Sequence, residues 1–322
     1  MAVSEFDIIE RYFSRPTVHR DDVVLGIGDD AALLQVPADR QLAVAVDTLV
    51  AGRHFPTQAT AFDIGWKALA VNLSDLAAMG ASPAWATLSL TMPAADEVWL
   101  EGFANGFFQL AERYQVELVG GDTTRGPLSV TVQLHGLTER GKALRRAAAR
   151  AGQKLFVTGT LGDAACALQA LQADGKINPD LLQQLNRPEP RVDFGLALAG
   201  TGVAAIDISD GLLADLGHIL DASQCGATLW VDRLPRSPAL DSMQDTEVLA
   251  CQLYGGDDYE LCFSVDAEQA EQLNRSAQQQ QLPVTEIGVI ESQAGIRCRR
   301  DDGSLYTPQG TGFDHFRDTA DG

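Results

Sequence analysis

The run Gly26-Ile27-Gly28-Asp29-Asp30-Ala31 constrains this chain more than any other stretch, because it resembles a fold signature that its surroundings forbid. Behind the apolar Val23-Val24-Leu25, a G-x-G-x-x-A run is the dinucleotide-binding fingerprint. Asp47 even lies about 20 residues on, where the ribose-binding acid of that fold belongs. The fingerprint requires a helix opening from the glycines, whose first amides receive a pyrophosphate. Here Ala31-Ala32-Leu33-Leu34-Gln35-Val36 stops at Pro37, too short for a crossover helix. Asp29 and Asp30 also put two negative charges where a phosphate must lie. That arrangement works with a cation between carboxylate and phosphate, so the rest of the chain is expected to supply a metal site.

At 322 residues the chain has room for two domains of ordinary size, about 100–200 residues each. A hydrophobic share of 45% marks a core-forming protein, and no apolar run approaches the roughly 18 residues of a membrane span. Met1-Ala2-Val3-Ser4-Glu5-Phe6-Asp7 lacks the basic and apolar regions of a signal peptide, so a cytoplasmic protein is expected. Cys166, Cys225, Cys251, Cys262 and Cys298 have no Cys-x-x-Cys spacing and read as reduced core thiols. The net charge of −20 argues against nucleic acid, whose backbone needs a basic footprint.

Strand and helix patterns alternate along the chain, which predicts mixed α/β architecture. Leu42 to Val46 reads as a strand ending at Asp47, and Asp63 to Met79 as a helix with Leu69, Leu73 and Leu76 on one stripe. Glu117-Leu118-Val119 reads as a strand ending in Gly120-Gly121-Asp122, and Ser129 to Leu137 alternates as a strand. The basic, alanine-rich run Arg145 to Gly152 is the boundary candidate, giving domains 1–148 and 149–322. A new strand, Leu155 to Thr158, a glycine turn and a helix from Asp163 to Gln172 follow it.

Aspartates recur where strands end or helices begin: Asp30, Asp47, Asp122, Asp207 and Asp210. Each is ordinary as a turn or cap residue; Asp210 in particular lies where it could cap the next helix. Asp75 differs, because it flanks the apolar stripe of its helix, three residues after Asn72. Together they favour magnesium, which takes a few carboxylates plus water and phosphate oxygens. The five histidines, His19, His54, His135, His218 and His315, lack the paired spacing of a zinc site. Gly136 to Ala143 imitates a P-loop, but Ala143 replaces the hydroxyl that would ligate magnesium and Glu139 intrudes on the phosphate cradle. It reads as a hairpin turn with exposed charges.

The ordered set Gly26–Leu33, Val46–Phe55, Asn72–Ala81, Gly120–Thr123, Ile206–Leu212, Gly255–Leu261 and Gly312–Phe316 resembles the thiamine-monophosphate kinase family over nearly the whole chain. The resemblance implies the aminoimidazole ribonucleotide synthetase-like fold: an N-terminal α/β domain that dimerises through its sheet and a C-terminal α/β domain. It implies transfer of the ATP γ-phosphoryl group to thiamine monophosphate. Asp30, Asp47, Asp75, Asp122, Asp207 and Asp210 would then ligate several magnesium ions. Gly121, Asp122, Arg146 and Ser209 would contact ATP, and His54, Asp257 and Phe313 thiamine monophosphate.

Ala45 and Val46 stand where relatives often carry Ser or Thr, Asn105 lies near where some have a nucleotide-stacking tyrosine, and Asp257 replaces the usual glutamate of Gly-Gly-Glu-Asp. Asp29 stays open between ligand and turn residue. Selenophosphate synthetases need an N-terminal nucleophile, whereas the first cysteine here is Cys166, and the hydrogenase-maturation relatives need a terminal cysteine, whereas the chain closes on Gly322. Aminoimidazole ribonucleotide synthetase-like chemistry and a non-catalytic metal or nucleotide sensor remain as alternatives.

Overall fold

A computed structural model describes residues 4–14, 18–173 and 175–310. Two compact units divide the chain: Met1–Leu76 with Ala81–Gly141, and Ala77–Gly80 with Lys142–Gly322.

The first unit opens with a short helix, α1 (Glu5–Ile8), capped by Ser4 and continued as a π-helical turn, Ile9–Phe13. A two-stranded hairpin follows, β1 (Val23–Leu25) with β2 (Leu33–Leu34). The main sheet holds β3 (Arg40–Val50), β4 (Ser82–Met92), β5 (Glu117–Arg125) and β6 (Ser129–Glu139) in the order β3-β6-β4-β5. The β4–β5 pair is parallel, which demands a crossover, and α3 (Glu97–Arg113) supplies it. Asp96 caps α3 by accepting the amides of Val98 and Trp99. The predicted stripe of Leu69, Leu73 and Leu76 is buried on α2 (Ala61–Ala78), where Leu76 packs against Gly136 of β6. The P-loop imitation resolves here: Gly136 to Glu139 are strand, Arg140-Gly141 is a turn, and no hairpin follows, because β6 is already paired on both edges by β3 and β4.

The second unit is built on a seven-stranded sheet: β7 (Lys154–Thr158), β8 (Ala204–Asp207), β9 (Gly226–Trp230), β10 (Leu261–Val265), β11 (Val284–Glu291), β12 (Gly295–Arg299) and β13 (Leu305–Tyr306), ordered β13-β12-β9-β11-β7-β10-β8. Its helices are α4 (Asp163–Gln172), α5 (Pro179–Asn186), α6 (Val192–Leu198), α7 (Leu212–Ser223), α8 (Asp245–Tyr254) and α9 (Ala267–Gln279). Every residue of β8 and β10 is buried, as expected for strands covered on both faces. One face packs Leu155, Val157, Ile206 and Cys262 against Leu212, Leu216 and Ile219 of α7. On the other, Phe263 stacks on Phe156 and meets Phe194 of α6. All five cysteines are buried and free, as the sequence predicts.

Candidate functional site

In the first unit the Gly26–Asp30 run is the turn of the β1–β2 hairpin, and a strand rather than a helix follows it. Gly28 has φ +126°, a conformation that excludes side chains. The Asp29 carboxylate accepts the Asp30 amide at 2.8 Å, so Asp29 stabilises the turn while Asp30 lies exposed on it. At the base of the hairpin, Arg20 forks onto Asp22 at 2.9 and 2.8 Å, and the buried Trp85 indole donates to Asp22 Oδ1 at 2.9 Å. The Arg20 hydrogen bonds, with help from Trp85 and against burial, hold the Asp22 carboxyl below its ordinary range.

Two strand ends are corrected. Strand β3 runs on past Asp47 to Val50, so Asp47 lies inside an edge strand opposite Val132. Strand β5 runs on through Gly120-Gly121-Asp122 to Arg125. In each case the neighbouring strand supplies a continuous ladder that outweighs the local stop signal. Val119 is the extra residue of a bulge, since Ala86 pairs with Leu118 and Thr87 with Gly120. Just beyond it the backbones close up, and a Cβ on Gly121 would stand 1.8 Å from the Leu88 carbonyl oxygen. The register places Asp122 in a row with Ser89, Thr131 and Thr48, and Asp47 in the next row, with Val132, Leu88 and Gly121. The two aspartates therefore point to opposite faces of the sheet, with β6 and β4 between their strands.

His54 follows β3, and its Nδ1 accepts the Val50 amide at 3.0 Å, which puts the proton of the neutral ring on Nε2. Asp75 is half-buried on α2. One turn earlier the buried Asn72 donates to the Ala68 carbonyl at 3.2 Å, while its Oδ1 accepts no hydrogen bond among the described residues.

In the second unit, β8 ends at Asp207 and the chain turns through Ile208-Ser209-Asp210-Gly211 into α7. Asp207 is 4% exposed; Ser209 and Asp210 are half-buried. Asp210 does not cap α7, because the cap position is Gly211, which lies at φ +110° and carries no side-chain cap. Instead Asp215, in the first turn of α7 and 3% exposed, folds back. Its Oδ2 accepts the amides of both Ser209 and Asp210 at 3.0 Å. Burial pushes the Asp215 carboxyl up to about 7, with Asp207 and Asp210 adding to the shift and the two amides opposing it. Arg146 is exposed on a 3-10 turn, Arg146–Ala148, whose ends Ser223 of α7 ties: its hydroxyl donates to the Arg146 carbonyl at 2.7 Å and accepts the Ala149 amide at 3.1 Å.

Asp257 joins this assembly, since its amide donates to the Ser209 carbonyl at 2.9 Å. It also lines a cleft of about 190 Å³ with Asp163, Asp258, Glu260 and Arg191. Arg191 pairs through both nitrogens of its fork with the buried Glu260, and Thr158 donates to Glu260 at 2.6 Å. Burial raises the carboxyls of Asp163 and Asp258, even though Ser237 and Thr160 donate to the first and the Gly162 amide to the second. Phe313 lies outside the described residues. Sequence reasoning missed Asp22, Asp215 and Tyr259. A carboxylate one turn into a helix behind a loop of acids is the signal that could have found Asp215.

Hard cations fit what is present. The donors are carboxylate and amide oxygens, and the orphaned Asn72 Oδ1 beside Asp75 is an oxygen in want of a partner. Among the described residues no three His, Cys, Asp or Glu side chains form a ready-made cage. Magnesium suits such a site, because it keeps several waters and substrate oxygens in its shell.

A family model described as AIR synthase related protein, N-terminal domain, matches residues 28–138, and one described as AIR synthase related protein, C-terminal domain, matches residues 150–301. Thiamine-monophosphate kinase from Salmonella typhimurium is 48% identical over 323 residues, covering 98% of this chain and 99% of that protein. The chain belongs to the thiamine-monophosphate kinase family. The crystal structure of the family member from Stenotrophomonas maltophilia K279a superposes with a TM-score of 0.85 at 49% identity, covering 95% of this chain and 99% of that one. A structure described as AaThiL complexed with AMPPCP and TMP matches with a TM-score of 0.76 at 31% identity, covering 97% and 96%.

Proposed function

We propose that this chain transfers the γ-phosphoryl group of ATP to thiamine monophosphate, giving thiamine diphosphate. The observation that carries the reading is the 48% identity to a thiamine-monophosphate kinase across the full length of both chains. The family structure complexed with AMPPCP and TMP adds a nucleotide analogue and an acceptor on the same fold. In this reading Asp30, Asp47, Asp75, Asp122, Asp207 and Asp210 hold several magnesium ions. Gly121, Asp122, Arg146 and Ser209 hold ATP; His54, Asp257 and Phe313 hold thiamine monophosphate.

The acceptor is a phosphate monoester, already ionised near neutral pH, so the chain needs no strong general base. The obstacle is repulsion between two anions, and bound magnesium would neutralise them and favour in-line attack. The protein's own share is orientation. The Asp215 carboxylate fixes the amides of Ser209 and Asp210, the register beyond the Val119 bulge orients Asp122, and Arg146 offers an exposed guanidinium for phosphate.

Residues 1–148 would form the metal-binding, ATP-binding and dimerising domain, and 149–322 would complete the site. Leu42, Val44, Val46 and Val50, alternate residues of β3, are exposed on one face of the sheet, a face that a second copy would cover. No described helix is long and apolar enough to cross a membrane. The free, buried thiols accord with a reducing cytoplasm.

Incubation with MgATP and thiamine monophosphate, followed by phosphorus NMR, is expected to show thiamine diphosphate, and ATP made chiral at the γ-phosphorus by oxygen isotopes is expected to show inversion at the transferred phosphorus. Asp75→Asn is expected to abolish turnover in a folded protein. Tight binding of both ligands without product would favour a sensor, and overall retention of configuration would overturn direct transfer.

A further inference from the structure

The segment Gly256-Asp257-Asp258-Tyr259 is strained and over-determined. Asp257 has φ +68° and Tyr259 φ +51°, left-handed conformations that an aspartate tolerates and a tyrosine rarely adopts. Such strain persists where the surroundings dictate it. Here the Asp257 amide donates to Ser209 and the Tyr259 amide to the Ile208 carbonyl, at 2.9 and 2.8 Å. Gly256 approaches so closely that a Cβ would stand 2.2 Å from the Ser209 carbonyl oxygen. On the far side, both Asp258 oxygens accept the Gly162 amide, at 3.0 and 3.1 Å. The loop is thus locked between the Ile208–Asp210 turn and the start of α4.

The strain bears on a side-chain contact. At φ +51° the Tyr259 ring is buried and its hydroxyl donates to Asp257 Oδ1 at 2.9 Å. Asp257 lines the cleft, whereas Tyr259 does not. We propose that Tyr259 is a positioning residue for the acceptor substrate: its hydroxyl sets the direction of the Asp257 carboxylate, and so the recognition of the organic cation of thiamine monophosphate, without touching ATP. The lining agrees, since among the described residues it is rich in carboxyls, Asp163, Asp257, Asp258 and Glu260, and its arginine, Arg191, is already paired with Glu260. A tightly held carboxylate in such surroundings selects a cationic ring over a neutral one of equal size. The proposal rests on the function proposed above, through the assignment of Asp257 to the acceptor.

The test is Tyr259→Phe in the full-length protein, which keeps the buried ring and removes one hydroxyl. KM for thiamine monophosphate is expected to rise about tenfold, the scale of a lost hydrogen bond to a charged group. KM for MgATP should stay within about twofold, and the melting temperature within about 2 °C. In an Asp257→Asn background the same change should add nothing, because both variants remove one interaction. An unchanged KM for thiamine monophosphate, additive effects in the double variant, or a joint rise in both KM values with a fall in melting temperature would each overturn the role. The wild type tests the other premise. If it binds thiamine monophosphate by calorimetry but does not phosphorylate it, the kinase reading falls, and the Kd of Tyr259→Phe still decides the role of Tyr259. If it does not bind, both readings fall.

Discussion

Gly120 and Gly121 are neighbours in sequence, yet the structure predicts opposite outcomes for the same substitution. A Cβ on Gly121 would lie 1.8 Å from the Leu88 carbonyl oxygen, 2.7 Å from its carbon and 2.9 Å from its nitrogen, all backbone atoms of a central strand. A methyl on Gly120 meets nothing within 4 Å. To accommodate Gly121→Ala, β5 must retreat from β4 by about 1.5 Å, which breaks about two ladder hydrogen bonds and leaves donors partly buried. At about 1 kcal/mol for each bond and 1–3 kcal/mol for each stranded group, the loss is at least about 4 kcal/mol. Gly120→Ala should be neutral or gain up to about 1 kcal/mol through the unfolded chain. Calorimetry of the two variants should therefore show melting of the first unit lowered by roughly 15 °C or more for Gly121→Ala and unmoved for Gly120→Ala. Because Asp122 follows directly, Gly121→Ala should also weaken magnesium-dependent turnover at temperatures where it is folded. Equal melting temperatures for the two variants would refute the claim that the bulge brings β5 into backbone contact with β4 at this point.

Asp163 is buried with its carboxyl raised above the unfolded value, so its contribution to stability is fully present at acid pH and is lost as pH rises through the folded value. Asp163→Asn should flatten that fall, and urea titrations from pH 4 to 8 should show the variant gaining on the wild type toward neutral pH. Trp85→Phe removes the indole donor to Asp22 and should cost about 1.5–3 kcal/mol. Limited proteolysis should then cut within the β1–β2 hairpin, and an unchanged digestion pattern would remove Asp22 as its anchor.

Where periodicity carried the information, structure and sequence agree closely. The stripe of Leu69, Leu73 and Leu76 marks α2, and Asp163 to Gln172 is the helix that the glycine turn announces. Reading failed where a neighbour in space decided the outcome. Asp47 and Gly120-Gly121-Asp122 carry local stop signals, but the ladder offered by β6 and β4 continues past them. Asp210 occupies a capping position by sequence, yet Gly211 takes the cap and Asp215 supplies the acceptor from within α7. The Trp85–Asp22 bond spans 63 residues and leaves no trace in local pattern. No propensity scale would place Tyr259 at positive φ, because the preference is imposed by Ile208 and Asp257, not by tyrosine.

These failures share a physical cause, and it bears on function. Residues that a local rule would make caps and turns are carboxylates drawn into one another's neighbourhood: Asp207, Asp210 and Asp215 around one loop, and Asp163, Asp257, Asp258 and Glu260 around one cleft. Like charges at such density, several of them buried, raise one another's protonation range and work against folding. A chain that already carries −20 gains nothing structural from concentrating acids there. The arrangement becomes favourable once cations enter, because any ligand that binds the folded form alone stabilises it in proportion to RT ln(1 + [L]/Kd). On the proposed function, two cations of different kinds would match the two clusters: a hard divalent ion at the Asp207–Asp210 loop, and the organic cation of the acceptor in the cleft lined by Asp257. The Asp257 amide, bonded to the Ser209 carbonyl, joins the two clusters through backbone. On the proposal above, the bond from the Tyr259 hydroxyl to Asp257 is a side-chain contact through which the acceptor cluster can be tuned.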